Sequence, residues 1–135
     1  MDERSDNSIE LKAEWRNYRP CLEVNYVPAE MFKPHTAKLL AEQFIENYRN
    51  LTTIPVSGAK RNICIVVIKA TVAGSPLVRA LFDLYKVVVA DSAKLICVSF
   101  PEDYMDSLTG LGLPALPGFK LASSLDEAFT LADKM

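Results

Sequence analysis

The sequence contains one histidine, His35, and only five glycines. A single imidazole excludes a pair of catalytic histidines and a metal site built from several histidines. A proline-containing segment holds three of the glycines, Gly110, Gly112 and Gly118. Their spacing is not that of a phosphate-binding loop between a strand and a helix. We therefore expect no metal and no cofactor.

Strong charge of one sign is also absent. The formal net charge is −2, and aromatic residues make up only 9% of the chain and are not interleaved with arginines. These features predict no nucleic-acid partner, because such surfaces are basic and often carry stacking aromatics. The longest apolar run is far shorter than the roughly 20 residues that span a bilayer, so no membrane insertion is expected. The acidic, polar start, MDERSDNS, lacks the apolar core of a secretory signal and favours a cytoplasmic location.

Cysteine is scarce as well. Cys21, Cys64 and Cys97 lie far apart in strand-like segments. An odd number without CxxC spacing predicts free structural thiols in a reducing compartment. No activating base lies near Cys64 or Cys97 in the sequence, so nucleophilic catalysis is not expected.

The N-terminal half shows clear periodic patterns. Residues 1–8 are predicted to be a disordered tip. Residues 9–16 alternate apolar and charged side chains, which is typical of a half-buried antiparallel strand, and a turn at 17–20 leads to a second strand at Cys21–Val27. After a loop at 28–35, apolar residues at helical spacing predict a helix from Thr36 to Asn50.

Helices and strands then alternate. The unbroken apolar run Ile63–Ile68 predicts a strand buried on both faces. Ser75-Pro76 is a strong helix-start signal, with Ser75 as the capping residue of a helix that runs from Pro76 to Ala90. A short buried strand is expected at Lys94–Ser99.

The C-terminal third contains two capping boxes. Ser99–Glu102 predicts a helix that ends before Gly110, and Ser124–Glu127 predicts a terminal helix through Leu131. Residues 119–121 are a candidate edge strand. The whole chain from residue 9 to 135 is thus expected to form one α/β domain. Its mixed sheet would contain an antiparallel hairpin followed by parallel strands, with about four helices.

The C-terminal third contains L-T-G-L at 108–111, followed by Phe119 and by S-L-D-E-A at 124–128. This cluster and the order of elements resemble the STAS domain, named for sulfate transporters and anti-sigma-factor antagonists. The segment LVRALFDLYK at 77–86 resembles the helix after the central loop of the family. The resemblance covers residues 9–132 and implies a non-enzymatic domain that binds another protein.

The central loop departs from the family pattern. Family members that are regulated by phosphorylation usually carry D-S-S-G or D-T-S-G before the central helix, whereas this chain has VIKATVAGSP at 67–76. Ser75 is the closest match to the phosphorylated hydroxyl, and Thr71 is a distant second. Two interpretations stay open: Ser75 caps a helix and does nothing else, or it is a phosphoacceptor.

Two large apolar residues, Met31 and Phe32, lie in the loop at 28–35. They are either a plug beneath that loop or an exposed contact for a partner. In the resembling family this loop and the loop before the central helix form the partner-binding surface. The resemblance therefore implies the following contact residues: Met31, Phe32, Val72, Ser75, Pro76, Val78 and Arg79.

The expected partner is another protein, either an anti-sigma factor or a histidine-kinase-like regulator. In that hypothesis Ser75 and Thr71 decide whether docking is allowed, because a phosphate adds roughly two negative charges at the surface. The alternatives are a subunit of a membrane-transport assembly that pairs with a transport ATPase, and a constitutive adaptor that has lost the switch. A small-molecule binder or enzyme on a related α/β scaffold is a further alternative.

Overall fold

The computed structural model describes residues 8–27, 36–60, 62–69, 74–99, 112 and 116–134, without the side chains of residues 8, 9, 26, 27, 36, 37 and 74–76. This part of the chain contains five strands and three helices. In chain order they are β1 (Ser8–Arg16), β2 (Arg19–Val27), α1 (Thr36–Thr52), β3 (Ile63–Lys69), α2 (Gly74–Ala90), β4 (Lys94–Val98), β5 (Phe119–Ala122) and α3 (Leu125–Lys134).

The described residues differ from the prediction at the N-terminus and in the number of helices. Ser8 is the first residue of β1 and does not belong to a disordered tip, and the rest of that predicted tip lies outside the described residues. Three helices are described where about four were expected. The remaining predicted helix, between Ser99 and Gly110, falls almost entirely outside the described part of the chain.

The strands form one mixed sheet in the order β1-β2-β3-β4-β5. β1 and β2 are antiparallel, and every later neighbour pair is parallel. The α/β class and the hairpin followed by parallel strands are therefore confirmed. The hairpin turn needs only two residues, Asn17 and Tyr18, both with positive φ (51° and 66°). Such turns match the right-handed twist of the strands, and β2 consequently begins at Arg19 instead of Cys21.

The sheet separates two hydrophobic clusters. Helices α1 and α2 cover one face, and α3 covers the other. Because each parallel strand is added on the same side of the previous one, right-handed crossovers place α1 and α2 together on one face. The cluster beneath α1 and α2 includes Leu22, Val24, Phe44, Val66, Leu81, Leu84, Leu95 and Phe119. The cluster beneath α3 includes Cys21, Ile63, Ile65, Ile96, Val98, Ala128 and Ala132.

The start of α2 corrects one expectation. The helix begins at Gly74, two residues before the predicted start at Pro76. Ser75 therefore belongs to the first turn and is not the residue that precedes the helix. Pro76 is tolerated there because the first N–H groups of a helix have no acceptor within the helix. The predicted capping hydrogen bond of Ser75 involves a side chain outside the described ones.

The start of α3 confirms its predicted cap. The Oγ of Ser124 accepts a hydrogen bond from the backbone N–H of Glu127 at 3.1 Å. The Glu127 carboxylate reaches one residue further back than a standard capping box, since it accepts hydrogen bonds from the backbone N–H and Oγ of Ser123. Near the other end of α3, Asp133 accepts a hydrogen bond from the buried Arg19 at 2.6 Å, which ties the helix to β2.

Replacement of Phe44 by alanine tests the packing of α1. The Phe44 side chain is completely buried, so we expect Phe44→Ala to lower the free energy of unfolding by about 3–5 kcal/mol. Leu39→Ala is the matched control, because Leu39 lies on the same helix and is 43% exposed. Its loss should stay within about 0.5 kcal/mol. Urea denaturation measures both, and equal losses would contradict the orientation of α1.

The Glu127 cap predicts a pH dependence. Hydrogen bonds from the backbone N–H and the Oγ of Ser123 hold the pKa of Glu127 below its ordinary value. A lowered pKa stabilises the fold above the unfolded value of about 4.3, and this contribution is lost as the pH falls through the folded value. We therefore expect Glu127→Gln to melt at a lower temperature than the wild type at pH 7. The difference should vanish in acid, and an unchanged difference would contradict the assigned role of the carboxylate.

Candidate partner-binding site

Helix α2 buries one side and exposes the other. Its buried residues recur every three or four positions and include Leu77, Leu81, Leu84 and Val88, all with no exposed surface. The opposite side carries a mixed set of charged, aromatic and aliphatic side chains. We call this set the α2 face, and it consists of Arg79, Phe82, Asp83, Lys86 and Val89.

An aromatic ring at the middle of the α2 face contacts two neighbouring side chains of the same helix. The Phe82 ring stacks on Tyr85, with ring centroids 6.5 Å apart and planes 18° from parallel. The Nζ of Lys86 lies 5.1 Å from the centroid of Phe82 and 3.6 Å from the Oδ1 of Asp83. Cation–π and stacking contacts of this kind fix the ring in place while part of it stays accessible.

Tyr85 anchors this arrangement to the sheet. Its hydroxyl donates a hydrogen bond to the backbone carbonyl of Pro117 at 2.6 Å, and its ring meets Phe119 of β5 edge-on. Tyr85 itself is only 8% exposed. The accessible part of Phe82 therefore rests on a rigid base, and a preorganised aromatic loses little conformational freedom when it is covered.

The α2 face contains two residue types that are common in protein interfaces, an aromatic residue and an arginine. Interfaces are enriched in aromatic residues and arginine, and both types are present here. Val89 adds an aliphatic side chain that is 40% exposed. Charged Asp83 and Lys86, with side chains 38% and 61% exposed, flank the ring in the manner of an interface rim.

The predicted contact residues have different positions. Arg79 is exposed on the α2 face. Val78 is only 3% exposed and packs in the core beneath α1 and α2, so the expectation that it contacts a partner needs correction. Its buried position follows from helix geometry, because neighbouring residues on a helix point about 100° apart.

The other predicted contact and phosphorylation residues are not brought together by the described structure. The backbones of Ser75 and Pro76 lie in the first turn of α2, but their side chains lie outside the described ones. Met31, Phe32, Thr71 and Val72 also lie outside the described residues. Their proposed roles stay predictions.

Sequence reasoning missed Phe82, Lys86 and Val89 as surface residues. The signal was present, because steps of three or four along the helix lead from the exposed Arg79 to positions 82, 83 and 86. What the sequence did not show is that both Tyr85 and Lys86 contact the Phe82 ring.

The three cysteines are buried and free, as predicted. Burial raises the pKa of Cys21 to about 11, although the nearby Arg16 opposes the shift. Burial also raises the pKa values of Cys64 and Cys97. Because the thiolate is the nucleophile and the metal ligand, burial disfavours the reactive form of these thiols at neutral pH. Within the described ranges, no group of three or more His, Cys, Asp or Glu side chains could hold a metal ion.

A depression of about 380 Å³ lies along α1 and is open to solvent. All its lining residues come from this one helix: Glu42, Ile45, Glu46, Arg49 and Asn50. A single helix cannot enclose a ligand, whereas small-molecule sites cover most of the ligand surface. The strand order also lacks, within the described sheet, the reversal at which open α/β sheets form a ligand crevice.

Comparison with models of known protein families and with curated proteins gives no match to this chain. Within the described ranges, no helix combines the length and the apolar character needed to cross a bilayer.

The buried thiols allow a direct chemical test. We expect all three cysteines of the native protein to react with a maleimide at pH 7.5 far more slowly than in urea-unfolded protein, because the native thiols are protonated and covered. Mass spectrometry of the labelled peptides identifies each site. Rapid native labelling of Cys64 or Cys97 would contradict their position in the sheet.

Proposed function

We propose that this protein is a non-enzymatic, STAS-like regulatory domain that binds another protein through the α2 face. The observation that carries the proposal is the accessible Phe82 ring, which Tyr85 and Lys86 hold in place. It lies on the helix that directly follows the central loop, and the STAS resemblance associates that loop with partner binding. The sheet adds support, because an antiparallel hairpin followed by parallel strands is the topology that the resemblance implies.

The same helix suits a phosphorylation switch. Positions 75 and 79 are four residues apart in α2, and residues at this spacing share a helix face. The first turn of α2 contains no acidic residue, so the positive end of the helix dipole is not neutralised by a carboxylate of that turn. A phosphate on Ser75 would be compatible with the fold and would lie near Arg79.

Phosphorylation would also reverse the charge of the docking surface. The α2 face carries two basic residues, Arg79 and Lys86, and one acidic residue, Asp83. Roughly two added negative charges turn this net positive surface into a net negative one. The proposed partner therefore offers an acidic surface that docks on the unmodified helix and is repelled after phosphorylation. We propose a cytoplasmic anti-sigma factor or histidine-kinase-like regulator as this partner.

Charge reversal at Arg79 tests the docking surface. The partner is first identified by affinity purification from the native source and mass spectrometry, and then purified. We expect Arg79→Glu to weaken the complex at least about tenfold, as measured by calorimetry, because loss of a partly desolvated charge pair together with the reversed charge costs more than about 1.4 kcal/mol.

Arg49→Glu is the matched control for this experiment. Arg49 is exposed on the neighbouring helix α1, so the same charge change falls outside the α2 face. It should leave the affinity unchanged, and both variants should keep a melting temperature near that of the wild type. Equal weakening by the two variants would show that net charge, and not the α2 face, governs binding.

Substitution of Ser75 tests the switch separately. We expect Ser75→Glu to weaken the same complex and Ser75→Ala to preserve it, and phosphopeptide mass spectrometry should find phosphate on Ser75. Equal binding by the wild type and both variants would contradict the phosphorylation switch and would favour a constitutive adaptor. Recovery of a transport ATPase as the partner would instead assign the domain to a transport assembly.

A further inference from the structure

Strand β1 ends the sheet, and among the described residues no strand pairs with its outer edge. The hairpin register defines which backbone groups lie at that edge. Arg16 and Arg19 close the two-residue turn, so they form a hydrogen-bonded pair, and bonding to β2 then recurs at every second residue of β1. The N–H and C=O groups of Leu11 and Ala13 consequently point away from β2.

One side of β1 carries charges that alternate in sign. Its apolar side, with Leu11, Ala13 and Trp15, packs beneath α1. The opposite side presents four charged residues in sequence, negative, positive, negative and positive: Glu10, Lys12, Glu14 and Arg16. The first three are exposed, and the Arg16 side chain is 33% exposed.

We propose that β1 pairs antiparallel with β1 of a second copy of this chain, around a two-fold axis at Ala13. In this register Glu10 lies opposite Arg16 of the second copy, and Lys12 lies opposite Glu14. The symmetry repeats each pair, so four opposite-charge pairs line one side of the new interface. Two five-stranded sheets become one continuous sheet.

The charge pattern selects this register over its neighbours. A two-fold axis at Lys12 would place Lys12 against itself and Glu10 against Glu14. An axis at Glu14 would place Glu14 against itself and Lys12 against Arg16. Like charges directly opposite destabilise a sheet. A slip by one residue would set the charged side of one strand beside the apolar side of the other.

Backbone geometry agrees with the same axis. The outward groups of Ala13 form a hydrogen-bonded pair with Ala13 of the second copy, and the charged residues then occupy the non-hydrogen-bonded positions. Side chains approach each other most closely at those positions. The pairing also covers an edge that would otherwise be open to non-specific strand addition. It uses no residue of the α2 face and is independent of the proposed function.

Charge reversal at Glu10 provides the main test. Sedimentation velocity of the full chain in low salt should show a concentration-dependent dimer. Glu10→Lys places a lysine opposite Arg16 twice in the dimer, so we expect the dimer to weaken by about tenfold or more. Glu10 is exposed and accepts a hydrogen bond from Asn25 of its own chain at 3.3 Å, so the fold should tolerate the change. Glu42→Lys on the exposed side of α1 is the control and should leave the dimer unchanged.

A mixture of variants tests the register itself. Arg16→Glu alone also creates two like-charge pairs, but a chain with Glu10→Lys and a chain with Arg16→Glu restore four opposite-charge pairs between them. We expect each variant to be largely monomeric and an equimolar mixture to form a heterodimer. Circular dichroism checks that Arg16→Glu remains folded, since Arg16 also forms ion pairs with Glu14 and Glu23 within its own chain.

Substitution of Ala13 by proline tests the backbone pairing without changing charge. Proline removes the N–H that points outward, which β2 does not use, so dimerisation should be lost while the sheet persists. A wild-type protein that stays monomeric up to high concentration would overturn the proposal. A dimer that Glu10→Lys leaves intact, or variants that fail to associate when mixed, would overturn it as well.

Discussion

Burial of both faces of β3 and β4 is the constraint on which the rest of the structure depends. Residues Ile63, Cys64, Ile65 and Val66 are at most 1% exposed, so their alternating side chains need cover on each face of the sheet. Helices α1 and α2 cover one face and α3 covers the other. This arrangement buries one side of α2 in the core and leaves the α2 face on the surface. Among the described strands, β1 of the hairpin lies at the end of the sheet.

Local patterns in the sequence were sufficient to predict most of the described strands and helices. The alternation over residues 9–16 predicts β1, because a strand buried on one face alternates apolar and polar side chains. The continuous apolar run at Ile63–Ile68 predicts β3, because a strand buried on both faces is apolar throughout. The first residue of a helix was harder to predict. Ser75-Pro76 is a strong signal for the start of a helix, but proline is tolerated at several positions of the first turn. The signal is therefore equally compatible with a helix that begins at Gly74, as α2 does.

The candidate site was predicted only in part, for a geometrical reason. Val78 and Arg79 were both among the contact residues that the resemblance implies, yet a step of one residue along a helix turns the side chain from the surface into the core. The Phe82 ring depends on Tyr85, and Tyr85 depends on a carbonyl 32 residues further along the chain. Likewise, the charge alternation of β1 is visible in the sequence, but its self-complementarity has meaning only once β1 is known to be the edge strand.

Hydroxyl-radical footprinting of the protein with and without its partner tests the central claim, that the α2 face is the docking surface. Oxidation of Phe82 is compared with oxidation of Tyr18, which is 56% exposed in the hairpin turn and lies outside the α2 face. The account predicts that complex formation protects Phe82 and leaves Tyr18 unchanged. Undiminished oxidation of Phe82 in a saturated complex would contradict it.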